Sequence, residues 1–362
     1  MNTLFQNAFK TAYNWVDERL NIGDAIAFAG KKTVPEHKHS FWYYWGGISM
    51  FFFIVQCLTG VLLMIYYRPG AEAYESVRQI TNEIKFGWLI RSVHSWSANL
   101  MVLAIFIHMF SVFFMKAYRA PREFGWWSGV ALLVLTTIFG FSGYLLPMDE
   151  LAYFATKVGL GIPGSMPGAS VLVDLVRGGA EVGDATIQRF FTLHVVVLPA
   201  LFVPLLGFHL WLVQKHGNAI PPSEELTPVS ERRSIPFFPN FFAKDLAVWL
   251  IALNVLAVLA ALFPWDLGKQ ADSLSPAPVG IHPEWYFMSS FQILKLFGRW
   301  FPGTLGEVLG ILVFNLGLVL WMLVPLYDRE SPSGVKARRV TYFGLAVLAI
   351  TLITTFWGYW EV

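Results

Sequence analysis

The chain has 362 residues, of which 56% are hydrophobic and only 14% are charged, and its net charge is +2. Soluble domains usually carry about 25% charged residues, so this composition excludes an ordinary soluble protein. The small net charge offers no strong positive field for nucleic acid. Because Cys57 is the single cysteine, the chain has no internal disulfide and no C-x-x-C-H motif for covalent haem attachment.

Residues 1–41 precede the first long apolar segment. Within them Phe5, Phe9, Trp15 and Val16 recur at helical spacing among charged residues. This pattern predicts an amphipathic helix lying on the membrane surface, and an ordinary solvated helix is the alternative.

Seven segments are long and apolar enough to cross a bilayer, for which about 20 apolar residues suffice. They are Trp42–Tyr67, Trp88–Met115, Trp126–Leu146, Phe190–Val213, Leu246–Phe263, Leu305–Leu326 and Val340–Trp360. Trp and Tyr residues crowd their ends, as interfacial anchors do. The sequence therefore predicts an all-α polytopic membrane protein with seven transmembrane helices, the first four forming a bundle.

The spans divide the chain into four parts. We predict a surface segment (1–41), a four-helix domain (42–213), a linker (214–244) and a three-helix domain (245–362). The two connections around residues 147–189 and 264–304 are too long for plain turns and contain apolar, Gly- and Pro-punctuated pieces. Connections of that size usually carry function or are disordered, and their apolar content argues against disorder.

Basic residues predict the orientation. Lys and Arg are more frequent on the face that carries the N-terminal segment, the linker and the connections after the second and sixth spans, with Lys116, Arg119 and Arg339 among them. The positive-inside tendency makes this face cytoplasmic. We therefore expect a bacterial cytoplasmic membrane protein with its N-terminus inside and its C-terminus on the outer face.

Four histidines lie inside predicted spans, where ionisable groups are costly and usually functional. His94 and His108 are 14 residues apart on the second span, and His194 and His209 are 15 apart on the fourth. Such spacings return to within about 40–60° of one helix face after a rise of about 21–22 Å. Because the two spans run parallel, the sequence predicts two pairs of facing imidazoles at two depths.

A facing imidazole pair suits a haem iron. Two imidazoles fill both axial positions, so such a haem transfers electrons and leaves no position for oxygen. Gly46 and Gly60 on the first span, and Gly129 and Gly143 on the third, are also 14 residues apart. They would allow a macrocycle to approach the backbone, or alternatively close helix packing. A single intramembrane histidine could equally serve packing or a proton relay.

Several motifs resemble those of cytochrome b from the bc-type complexes, over about residues 34–326. They are the run Arg91–Trp96 around His94, the run Gly143–Pro147, and the tetrapeptide P-E-W-Y at Pro283–Tyr286. The resemblance implies two non-covalent b-type haems, a low-potential haem on His94 and His194 near the outer face and a high-potential haem on His108 and His209.

The resemblance also implies roles for charged and aromatic residues. Arg91 would pair with a haem propionate, although a membrane-edge anchor is the alternative. Pro283, Glu284, Trp285 and Tyr286 would line a quinol-oxidation pocket, with the 147–189 connection as its other wall. In that pocket Glu284 would accept a proton and Tyr286 would act beside it, whereas interfacial anchoring and a solvated acid are the alternatives.

A second quinone site is implied on the cytoplasmic side. Lys244 and Asp245 resemble the acid and base that supply protons to a reduced quinone, with helix capping as the alternative. Gln214 stands where the family usually has a histidine, and His216 lies two residues further on.

Three features depart from one or another branch of the family. The 15-residue spacing and the lack of an eighth span are similar to the chloroplast type, which is split into two chains, whereas here both parts are fused. Tyr44 and Trp45 stand where that type has a cysteine, so no covalently attached extra haem is predicted. The run Pro147–Glu150 also differs from the usual family residues at its second and fourth positions.

The implied function is that of the membrane cytochrome b of a quinol oxidoreductase. One electron from quinol would pass to a Rieske iron–sulfur protein, and the other would cross two haems to the cytoplasmic quinone site, coupled to proton translocation. The chain lacks a cysteine set for an iron–sulfur cluster, so the Rieske protein and a c-type cytochrome would be separate partners. A homodimeric complex embedded in membrane lipid is implied as well. The alternatives are a di-haem membrane anchor of a dehydrogenase without a Rieske partner, and a proton-coupled transporter.

Overall fold

The structure is a computed structural model that describes residues 2–164, 166, 168–329 and 335–361. Among these residues, seven helices are long and apolar enough to cross a membrane. They cover Ser40–Met64, Gly87–Phe114, Glu123–Tyr144, Asp184–His216, Phe237–Leu262, Thr304–Met322 and Arg338–Trp360. The seven predicted spans are confirmed, although the fourth and fifth begin earlier than predicted.

The labels used below follow chain order. The helices are α1 (Asn2–Leu20), α2 (Ile22–Lys31), α3 (Tyr44–Met64), α4 (Ala73–Asn82), α5 (Gly87–Phe114), α6 (Glu123–Tyr144), α7 (Glu150–Gly164), α8 (Ser170–Arg177), α9 (Asp184–Thr192), α10 (Leu198–His216), α11 (Pro222–Glu225), α12 (Phe242–Leu262), α13 (Trp285–Trp300), α14 (Thr304–Met322), α15 (Val324–Tyr327) and α16 (Val335–Trp360). The strands are β1 (Thr33–Glu36) and β2 (Arg233–Pro236). We call the end with α7, α8 and α13 the loop face, and the opposite end the N-terminal face.

The first four long helices form the predicted bundle. Helix α3 packs against α5, and α6 packs against α10. A buried cluster at mid-depth joins all four helices and α12. Its buried members are Ile48, Phe52, Met101, Ala104, Leu132, Phe202 and Leu256. The bundle is therefore closed by apolar packing midway between the two histidine depths.

A π-helical turn at Leu193–Val197 joins α9 to α10 and contains His194. A π turn holds one more residue than an α turn over a similar length. Pro199, at the start of α10, lacks the N–H that would bond the carbonyl of Val195 in a regular helix. The extra residue explains why the histidines of this span are separated by 15 residues and those of α5 by 14.

The three C-terminal long helices pack around the bundle. Helix α12 contacts α3 and α5, α14 contacts α6, and α16 contacts α5. Helix α13, in the connection predicted to be a functional loop, packs between α14 and α16. This arrangement brings the Pro283–Tyr286 tetrapeptide against the bundle, since it leads directly into α13.

The two long connections on the loop face are joined to each other. Asp149 and Gln270 form an antiparallel bridge, and the backbone N–H of Glu150 donates to the carbonyl of Lys269 at 2.8 Å. The Asp149 carboxylate also accepts from the N–H groups of Ala152 and Gly268. The run Pro147–Glu150, which departs from the usual family residues at Met148 and Glu150, thus fastens one connection to the other through Asp149 and Glu150.

On the N-terminal face, β1 pairs with β2 and ties the first residues to the linker. The predicted amphipathic segment is helical in α1, and Phe5, Phe9 and Trp15 are 78%, 69% and 58% exposed. Exposed apolar patches of this kind are typical of surfaces that contact a membrane or another protein. Its contact with the membrane surface stays a prediction.

A buried ionic cluster links the two halves of the chain at the N-terminal face. Asp328, whose side chain is 1% exposed, pairs with Lys116 at 3.3 Å and with Arg119 at 2.9 Å. It also accepts a hydrogen bond from the hydroxyl of Tyr118. These hydrogen bonds hold the pKa of Asp328 below its usual range, although burial alone would raise it. A buried charge of this kind is tolerated because it is paired and hydrogen-bonded.

Candidate haem and quinone sites

The four intramembrane histidines form the two predicted pairs. His94 interacts electrostatically with His194, and His108 with His209. All four side chains are only half-buried although they lie inside the bundle. The imidazoles therefore border open space between α5 and α10, above and below the buried cluster at mid-depth.

Each of the four glycines faces one imidazole. A Cβ atom built on Gly46 would lie 3.1 Å from Cε1 of His108, and one built on Gly60 would lie 3.4 Å from Cε1 of His94. A Cβ atom on Gly129 would lie 3.3 Å from Cε1 of His209.

The contact is tightest at Gly143, where a Cβ atom would lie 2.8 Å from Cε1 of His194. The glycines thus leave room for the edge of a histidine ring on the neighbouring helix. Contact of these glycines with a haem macrocycle stays a prediction.

Hydroxyl groups hold three of the imidazoles at Nδ1. Thr59 Oγ1 lies 2.8 Å from Nδ1 of His94, and Ser142 Oγ lies 3.0 Å from Nδ1 of His194. Each hydroxyl donates its own proton to a carbonyl in its own helix, that of Val55 or Phe139. The hydroxyl oxygen must then accept from the imidazole, which places the proton on Nδ1 and leaves Nε2 free to bind iron.

In the second pair, His108 and His209, only His209 has a hydroxyl partner at Nδ1. Ser128 Oγ lies 2.9 Å from Nδ1 of His209 and donates to the carbonyl of Gly125. Nδ1 of His108 and Nε1 of Trp45 are buried without a hydrogen-bond partner among the described residues.

The hydroxyl partners were not identified from the sequence, although a signal is present. Each of the three hydroxyl residues immediately precedes one of the four glycines, in Thr59-Gly60, Ser128-Gly129 and Ser142-Gly143, whereas Gly46 follows Trp45. The glycine admits the ring and the preceding hydroxyl binds its nitrogen. This donor set fits two axially ligated haems.

Arg91 lies one turn before His94 on α5. Its guanidinium donates to the carbonyls of Trp265 and Asp266 at 2.5 and 3.0 Å. Ser92 donates to the carbonyl of Ala260 nearby. Two of the five Arg91 donors thus clamp α5 to the connection after α12, and pairing of the others with a haem propionate stays a prediction.

The P-E-W-Y tetrapeptide lies against α5 and α6. The indole of Trp285 donates to Asn99 Oδ1 at 2.8 Å, which fixes the start of α13 on α5. The hydroxyl of Tyr286 occupies the space beside Gly140, where a Cβ atom would collide with it. The peptide therefore approaches the bundle near the depth of the first histidine pair.

Glu284 lies among tyrosines at this place. It interacts electrostatically with Tyr144, Tyr286 and Tyr359. Burial raises the pKa of the Glu284 carboxyl, and His282 opposes the shift. Burial also raises the pKa of Tyr286, and Glu284 adds to it. A carboxyl with a raised pKa in a half-buried aromatic setting suits proton transfer.

Lys244 and Asp245 lie on the N-terminal face at the start of α12. Lys244 pairs with Glu36 at 3.4 Å on the surface. The carboxylate of Asp245 lies beside Gly47, and its Oδ1 is buried without a hydrogen-bond partner among the described residues. Such an unsatisfied acid is costly in a purely structural role.

Gln214 and His216 occupy the nearby end of α10. Lys32 donates to both the backbone carbonyl and the side-chain oxygen of Gln214. The carbonyl of His216 accepts from Arg122 at 3.0 Å. A role of either side chain in binding quinone stays a prediction.

Comparisons with known proteins identify the family. Residues 30–217 match the family model described as cytochrome b/b6/petB, and residues 270–359 match the one described as cytochrome b(C-terminal)/b6/petD. A cytochrome bc complex cytochrome b subunit from Chlorobaculum thiosulfatiphilum is 49% identical over 349 residues, covering 96% of this chain and 80% of that protein.

Two further relatives match the first part of the chain and nearly the whole chain, respectively. A cytochrome b6 from Desmonostoc is 44% identical over 211 residues, covering 58% of this chain and 98% of that protein. A solved structure of a hyperthermophilic respiratory Complex III has a chain that is 28% identical and superimposes with a TM-score of 0.83, covering 96% of this chain and 91% of that one. This chain therefore belongs to the cytochrome b/b6 family, with the N-terminal and C-terminal parts of that family fused in one polypeptide, and is the cytochrome b of a bc-type quinol oxidoreductase complex.

Proposed function

We propose that this cytochrome b holds two b-type haems, one between His94 and His194 and the other between His108 and His209. The matched imidazole pairs, with open space beside each ring and a hydroxyl at Nδ1 of three of the four rings, carry this proposal. When bound, the haems supply one-electron transfer at two depths of the membrane. The chain's own residues fix the tautomers of three of the four imidazoles and close the middle of the bundle with apolar packing.

Quinol is oxidised at the loop face, beside Pro283–Tyr286 and the 147–189 connection. Oxidation of quinol releases two electrons and two protons. The Glu284 carboxylate accepts one proton, since its raised pKa brings its basicity closer to neutral pH, and the other proton is released to water at the loop face. Tyr286 positions the quinol from its place against Gly140. One electron leaves to a separate Rieske iron–sulfur protein, and the other enters this chain.

Quinone is reduced at the opposite face, where Asp245 and Lys244 supply protons. The unsatisfied Oδ1 of Asp245 supports this assignment. With the N-terminal face cytoplasmic, protons are released outside and taken up inside, and the membrane becomes charged. The domain divisions at residues 41, 213 and 244 separate the surface segment, the haem-holding bundle, the linker and the quinol-oxidising part. A c-type cytochrome subunit and a second copy of the complex complete the assembly.

Redox-titrated visible spectroscopy of the purified complex, with identification of its co-purifying subunits, tests the proposal. We expect two b-haem transitions and a Rieske signal. Two b-haem transitions with a dehydrogenase and no Rieske protein would instead support a di-haem anchor. The absence of reduced b-type absorption bands would refute the haem assignment.

A further inference from the structure

A large cavity lies between α5 and α16, away from the histidine pairs. Its volume is about 1040 Å³, and it reaches from Trp285 and Tyr286 on the loop-face side to Lys116 and Arg338 on the N-terminal face. Along α5 it is lined from Leu103 to Phe114, a rise of about 17 Å, and Lys116 lies just beyond the end of this helix. The cavity is therefore longer than one leaflet of a hydrocarbon core about 30 Å thick.

The lining changes in character from one end to the other. The middle is formed mainly by apolar side chains such as Phe106, Phe110, Leu352 and Phe356. The charged residues that line it are Lys116 and Arg338, both at the N-terminal face, and no acid is among the described lining residues. An occupant with an anionic group at this end and a long apolar part along the middle matches this distribution.

The buried ionic cluster strengthens the positive character of this end. Lys116 and Arg119 together carry two positive charges against the single negative charge of Asp328. The excess positive charge lies next to the cavity because Lys116 belongs to both. The guanidinium of Arg338 is exposed at the same end, where it can reach an anionic group.

The size of the cavity discriminates between occupants. A spanning helix is about 30 Å long, whereas the part of the cavity lined by α5, from Leu103 to Phe114, is only about 17 Å long. A phospholipid of one leaflet, whose acyl chains cover about 15 Å, matches this length. A quinone would bring a long tail but no anionic group to the basic end.

We propose that this cavity binds one membrane phospholipid, with its phosphate between Arg338 and Lys116 of the buried ionic cluster. One acyl chain lies along Phe106 and Phe110 toward Trp285. The lipid fills the space between the bundle and α16, and so supports α13 from behind the tetrapeptide. The proposal is independent of the assigned haem ligands.

Lipid analysis of the detergent-washed whole complex tests this site. We expect wild type and Arg338→Lys to retain one phospholipid per chain, and Arg338→Gln to retain it about fivefold less well, the factor for one basic residue near an anionic headgroup. Arg339→Gln is the matched control, since Arg339 is exposed on the same helix but does not line the cavity. Equal retention by the 338 and 339 glutamine variants would overturn the proposal.

A second variant tests the apolar part. Thr351→Phe places a ring in the cavity and should displace the lipid while the visible haem spectrum stays unchanged, which shows that the complex is folded. If this variant loses quinone and keeps its phospholipid, the cavity binds a quinone tail and the proposal is wrong. If cross-links from position 351 reach another subunit, a protein segment occupies the cavity, and the proposal is equally wrong.

Discussion

The two histidine pairs lie at two depths of one helix bundle, and they differ in the hydrogen bonds that hold their imidazole rings. In the first pair, Thr59 and Ser142 each bind an imidazole Nδ1. In the second pair only His209 has such a partner, whereas Nδ1 of His108 lies buried and unsatisfied among the described residues. An axial histidine whose Nδ1–H is hydrogen-bonded is oriented more firmly and is a more basic ligand. The difference teaches that one repeated dipeptide, hydroxyl then glycine, sets both the space and the orientation of a ring.

The largest expected effect comes from removing one ring. His209→Leu should abolish the haem between α5 and the end of α10 and spare the one at His94 and His194, because each pair is separate. Haem content and the low-temperature visible spectrum measure this result, and His194→Leu should give the complementary loss. If His209→Leu leaves both haems, the pairing is wrong.

A second change tests proton transfer at the loop face. Glu284→Gln should slow quinol oxidation by about a hundredfold or more, the usual contribution of a positioned proton acceptor, with both haems intact. In wild type the rate should fall as the pH drops through the raised pKa of Glu284, because only the ionised carboxylate accepts a proton. The variant should lose this limb of the pH profile. Steady-state quinol oxidation measures both effects, and unchanged turnover would remove Glu284 from this role.

A third change compares glycines that face the same pair. Gly143→Ala brings a methyl group to 2.8 Å from the ring of His194, so the ring or helix must shift, at a cost of about 1–3 kcal/mol. Gly60→Ala brings it to 3.4 Å from the ring of His94, an ordinary contact. We expect Gly143→Ala to lower the occupancy of this haem and Gly60→Ala to leave it nearly full. Equal haem loss in both variants would argue against the ring contact as the reason for the glycines.

The smallest change addresses the hydroxyl partners. Thr59→Val removes the acceptor for Nδ1 of His94 and should raise the potential of that haem by about 40 mV, which corresponds to about 1 kcal/mol for one electron. The His108 and His209 haem should not shift. Thr137→Val is the control, because its hydroxyl donates to the carbonyl of Val134 and contacts no imidazole. A potentiometric titration in which both valine variants behave alike would rule out the hydroxyl effect.

Much of the fold could be predicted because the bilayer limits the choices. Segments such as Trp88–Met115 must be helices if they are apolar and cross a membrane, and their parallel or antiparallel order follows from counting. The same counting placed His94 level with His194, and His108 level with His209. These inferences need only the length of a helix and the direction of its faces.

Other features depend on contacts between distant parts of the chain. The pairing of β1 with β2 and the bridge from Asp149 to Gln270 join segments that carry no mutual signal in a single sequence. The π turn at His194 was visible only as one additional residue in the spacing. The hydroxyl residues before the glycines were missed because Ser and Thr are common in helices and only the structure shows which ring each one faces.

The ionic cluster around Asp328 has a consequence for how the polypeptide can be divided. Its two cations belong to the part matched by the b6-type model, and its acid follows α14 in the C-terminal part. Together with the pairing of β1 and β2, it gives the halves a mutual recognition surface that does not depend on the peptide bonds near residue 225. Two fragments that are translated separately and divided in this linker should therefore assemble into one bundle. The fold does not require a continuous polypeptide at this position.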